Sequence, residues 1–116
     1  MTENQNLIIE KWKKIYKLHR IPNIIFEKCP KIKGIEHDGV WIQDRNLIQI
    51  SSKFKNDIRG FEETIAHELF HCKNHKFEDD MSILFDKKHL QKCFWWAYEE
   101  FIDRFVSNVL QKENKR

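Results

Sequence analysis

Apolar residues recur along the first twenty positions at the spacing of one helix face: Ile8, Trp12, Ile15 and Leu18, with Ile9 and Tyr16 beside them and lysines between. That period predicts an amphipathic helix from about Gln5 to His19, ended before Pro22 because the residue preceding a proline is driven out of the helical region. In "NIIFEKCP" the residues become β-prone and the run stops at Pro30, so a short strand is expected from Asn23 to Glu27. "GVWIQDRNLIQIS" reads as two apolar runs around Asp44, Arg45 and Asn46, which have the composition of a turn. A β-hairpin follows, and with the preceding strand a small three-stranded sheet.

After Ser52 the helical period returns. Ile58, Phe61, Ile65, Leu69 and Cys72 form one stripe that predicts a helix from about Asp57 to Lys73. Residues 74–87, "NHKFEDDMSILFDK", are of mixed character and are expected to form a loop with a short helical turn. A last long helix, from about Lys88 to Lys112, is dense in aromatics: Phe94, Trp95, Trp96, Tyr98, Phe101 and Phe105. These elements describe an α+β fold, and 116 residues fit a single domain spanning 1–116.

Composition narrows the class. With 41% hydrophobic residues, and four Trp and nine Phe against three Gly and two Pro, there is material for a compact core. The net charge of +3 is too small an excess to mark a dedicated nucleic-acid binder, so no direct nucleic-acid partner is expected. Cys29, Cys72 and Cys93 are odd in number and widely spaced, which suggests neither a disulfide framework nor a Cys-x-x-Cys metal knuckle, but reduced thiols in a cytoplasm. The N-terminus lacks the apolar core and cleavage site of a signal peptide, and no run approaches the length of a membrane span. A cytoplasmic location with no membrane partner is the expectation.

Half of the six histidines fall in "TIAHELFHCKNH". His67 and His71 lie four residues apart on the expected helix, so both imidazoles can reach one Zn²⁺ ion. Glu68 sits between them on the adjoining face, where its carboxylate can reach a water at the metal and act as general base. His75 is a further turn along, but eight residues at about 100° each leave it roughly 80° from His67, so a structural or supporting role suits it better than ligation. A hydrolytic zinc site needs a third protein ligand. The pattern that would supply a histidine is absent, because Asn74 and Phe77 stand where glycine and that histidine would be.

The candidates for the third ligand are His75, Asp79, Asp80, Asp86, His89, Glu99 and Glu100. Glu99 has Trp95, Trp96, Ile102, Asp103 and Val106 at helical spacing, and a carboxylate on so apolar a face is costly unless a cation neutralises it. Glu100 has the more solvated neighbours Ala97, Arg104 and Ser107, so Glu99 is preferred. Asp103, one turn beyond Glu99, could accept a hydrogen bond from the second nitrogen of a ligating histidine. Tyr98 and His89 are possible electrophiles, and "NLIQIS" is a strand that could pair with an extended peptide.

Together these segments resemble the ImmA/IrrE family of zinc metallopeptidases. "YKLHRIPNIIFE" is similar to the family's opening helix and first strand, "KGIEHDGVWIQDRNLIQIS" to its glycine-containing hairpin, "TIAHELFHCKNH" to its active-site helix, and "EEFIDRFVSNVL" to its late helix. Phe70 stands where the family has glycine, and Phe101 and Ile102 where it has a second glutamate and an alanine. The resemblance implies a small zincin-like domain and a zinc endopeptidase whose substrate is a cytoplasmic protein, often a helix-turn-helix repressor of a mobile element or stress regulon. A zinc-binding, catalytically weak protein that blocks a regulator by binding it would carry the same ligands.

Overall fold

The computed structural model describes residues 1–85 and 88–114, and of residues 88 and 89 the backbone alone. Two compact units make up the chain, Met1–Lys73 and Asn74–Arg116. Among the described residues they contain four α-helices and a small mixed sheet, an α+β fold.

In the first unit, α1 spans Glu3–Ile15 and opens on a capping box. The Gln5 backbone N–H donates to Thr2 Oγ1 at 3.2 Å and the Thr2 N–H donates to Gln5 Oε1 at 2.9 Å. Such caps satisfy amide donors that have no partner within the helix and are each worth about 1 kcal/mol. The helix ends at Ile15 rather than near His19 because Lys17 takes a left-handed conformation, φ 54°, and reverses the chain. Leu18 N–H then donates to the Lys13 carbonyl at 2.9 Å, satisfying one of the last-turn acceptors. Ile9, Trp12 and Tyr16 are the buried stripe.

The sheet is built from β1 (Asn23–Glu27), β4 (Gly39–Ile42) and β5 (Leu47–Ser51), in the order β1-β5-β4. β5 runs parallel to β1 and antiparallel to β4, with Ile24 and Trp41 both opposite Ile48, and Phe26 and Gly39 both opposite Ile50. As the middle strand it is buried at four of five positions. This corrects one expectation: "NLIQIS" has both edges occupied and cannot accept a peptide, and the free edges belong to β1 and β4. The link from β4 to β5 is a single 3-10 turn, Gln43–Arg45, closed by Asn46 at φ 48°. A miniature ladder of β2 (Lys31–Ile32) and β3 (Ile35–Glu36) lies outside the expected elements, and Lys33 and Gly34 supply the two positive φ angles its tight turn requires.

α2 (Ile58–Lys73) packs against the sheet and against α1. Phe61, Ile65, Ala66 and Leu69 are fully buried, with Phe61 against Phe26 at 5.9 Å between ring centroids. Two hydrogen bonds tie α1 to it: Trp12 Nε1–H donates to Glu62 Oε2 at 2.7 Å, and the Tyr16 hydroxyl donates to the Ala66 carbonyl at 2.8 Å. Phe70 packs edge-on to Tyr16 at 5.8 Å.

The second unit pairs α3 (His75–Leu84) with α4 (Lys88–Asn114). Where a loop was expected there is a helix of 10 residues, and no residue of it is buried, so its apolar period is weak in the sequence. What organises it is an aromatic layer: Phe94 stacks on Tyr98 at 5.7 Å, and Phe85 and Phe77 lie 5.0 and 6.4 Å from Phe94. The Tyr98 hydroxyl also donates to Glu78 Oε2 at 2.7 Å.

Replacing Tyr16 with Phe removes the buried bond to Ala66 while keeping the ring. The expected cost is about 1 to 2 kcal/mol, read as a lower urea midpoint with an unchanged slope.

Candidate metal centre

α2 is held by the sheet at Phe61 and by α1 at Ala66, and His67 and His71 are half-buried. Their Nε2 atoms are 3.3 Å apart, and the rings meet edge to face with centroids 5.0 Å apart. Two nitrogens each held at the usual zinc distance, with a tetrahedral angle between them, stand about 3.3 to 3.4 Å from one another. The two imidazoles are therefore already spaced as ligands of one zinc ion.

Glu68 follows His67 by one residue, so its side chain leaves the helix about 100° away and meets β4 instead. It is buried, 8% exposed, and its Oε2 is 4.0 Å from His67 Nε2. What admits it is Gly39: a Cβ there would lie 3.2 Å from Glu68 Cγ and 2.6 Å from Thr64 Cγ2. The sequence pattern marks Gly39 only as part of a hairpin, since a close approach to a helix more than twenty residues on leaves no local signal. Trp41 is likewise unanticipated. It lies on the same face of β4 as Gly39, and its buried indole N–H has no acceptor among the described residues.

On α4, Glu99 has Ile102 and Val106 along its own face, and both are buried. Glu99 belongs to the second unit and His67 and His71 to the first, and the sequence names these three as the ligand set. Two imidazoles and a carboxylate are a donor set that suits zinc.

The remaining candidates fall elsewhere. Glu100 is exposed, 4.0 Å from Arg104 one turn along. Asp79, Asp80 and Asp103 are exposed on their helices. His75 begins α3, separated from α2 by Asn74, so it does not continue the histidine-bearing helix at all. Asp86 and the His89 side chain lie outside the described residues. The Tyr98 hydroxyl is committed to Glu78, and burial, that bond and the nearby charges of Glu78 and Glu99 push its pKa far up, so it remains a neutral donor.

Compared with known proteins, the chain matches no family model, no curated protein and no solved structure.

Wild-type protein dialysed against zinc is expected to retain about one ion per chain, and His67→Ala or His71→Ala to fall to background, because two ligands no longer close a structural or catalytic zinc site. Elemental analysis measures the metal, and circular dichroism should be unchanged.

Proposed function

We propose that the protein is a zinc-dependent endopeptidase of the ImmA/IrrE type, acting on a cytoplasmic protein such as a helix-turn-helix repressor of a mobile element or stress regulon. The observation that carries the reading is the pair of Nε2 atoms 3.3 Å apart on α2 with a buried carboxylate on the intervening residue. His67, His71 and Glu99 would hold the zinc. When bound, zinc supplies Lewis-acid chemistry: it makes water nucleophilic near neutral pH and polarises a peptide carbonyl.

Every other task falls to the chain. Glu68 removes a proton from the water as oxygen bonds to the carbonyl carbon, and returns it to the amine nitrogen as the C–N bond breaks. Its burial limits competing solvent and holds the carboxylate in one place, which is what a proton carrier used twice in a turnover requires. His67 and His71 need only stay neutral and fixed, and the packing of α2 on Trp12, Tyr16 and Phe26 supplies the fixing. The substrate can add as an extra strand to the free edge of β4, whose first residue lies against Glu68.

Glu68→Gln is the deciding variant. It is expected to keep zinc at the wild-type level while cleavage falls by about 10² to 10⁴, followed by intact mass of a co-expressed repressor. Full relief of repression by this variant would instead favour action by binding alone.

A further inference from the structure

We infer that Gly39 is a positioning residue for Glu68, which rests on the peptidase reading above. α2 turns Thr64 and Glu68, one helical turn apart, toward the first residue of β4, and both are buried. The strand comes so near that a single added methyl would stand 2.6 Å from Thr64 Cγ2 and 3.2 Å from Glu68 Cγ. The first separation is a collision that something must relieve. The second is a push of a few tenths of an ångström on the methylene that carries the carboxylate.

Glycine at 39 is not there for its backbone freedom. Its φ is not positive, unlike that of Gly34. The absent side chain is the feature that matters, because it lets the main chain of β4 act as a wall against the Glu68 stem. The wall is itself fixed: Ser51 N–H donates to the Asp38 carbonyl at 2.8 Å, and Gly39 is paired opposite the fully buried Ile50. Glu68 therefore has its stem set by the sheet and its backbone set by the helix. A general base working at hydrogen-bond range loses rate steeply when displaced by a fraction of that range. His67 leaves α2 about 100° from Glu68, whereas His71 leaves it about 60° from Glu68 and about 20° from Thr64, so zinc content is measured in every variant.

The two contacts can be separated. Thr64→Ser deletes the methyl that an alanine at 39 would strike, but leaves the Glu68 contact, so the pair distinguishes loss of packing from displacement of the carboxylate. The probe is a randomised fluorogenic peptide library with zinc-loaded protein, alongside thermal melts, zinc content and crystal structures.

Gly39→Ala is expected to keep zinc, lower the melting temperature and reduce kcat about tenfold with little change in KM. Adding Thr64→Ser should restore the melting temperature and not kcat, and Thr64→Ser alone should behave as wild type. In crystals of the double variant the Glu68 carboxylate should be displaced. Recovery of kcat in the double variant, or a Glu68 side chain in its wild-type place, overturns the assignment. If wild-type protein holds zinc and cleaves nothing, the peptidase reading fails by itself, and the position of Glu68 in the double variant still decides the role of Gly39.

Discussion

Two imidazoles can be kept 3.3 Å apart on a helix only if the helix does not roll or fray, and the first unit is organised to prevent both. α1 grips α2 through Trp12 to Glu62 and through the Tyr16 hydroxyl to the Ala66 carbonyl, one residue before the first histidine. The sheet supports another side through Phe26 on Phe61 and through the bare backbone at Gly39. Phe70 extends the grip by packing on Tyr16. His67 and His71 leave α2 half-buried, beside the side chains that the two walls hold.

Glu68 is the exception that makes the arrangement informative. A carboxylate buried to this degree is expensive unless nearby positive charge or donors compensate it. Its Oε2 is within 4.0 Å of an imidazole nitrogen that is itself a candidate ligand, so a cation at the two histidines would offset that cost directly. Burial, which would be a liability in an ordinary helix, would under the proposed function be the means of holding Glu68 in place as a base.

The elements with strong apolar stripes were legible in the sequence: α1, α2 and α4 through Trp12, Phe61, Leu69 and Ile102, and β1, β4 and β5 through their turns and branched residues. α3 was not, because nothing on it is buried and its stability comes from rings on α4 such as Phe94 and Tyr98. The β2–β3 ladder was missed for a similar reason: all four of its residues are exposed. That β5 lies between β1 and β4 is a fact of long-range pairing, invisible to a period count. Of the candidate site residues, His67, Glu68 and His71 are named by their spacing, and Glu99 by the apolar positions around it on α4. The close approach at Gly39 could not be read in this way, since it depends on an atom that glycine lacks.

Whether this constellation is a zinc centre is tested most directly by anomalous diffraction at the zinc edge from crystals grown with zinc. A single peak about 2.0 to 2.2 Å from Nε2 of His67, Nε2 of His71 and one Glu99 oxygen is the expected result. A peak that excludes either histidine, or one in which Glu100 or another side chain replaces Glu99, would contradict it.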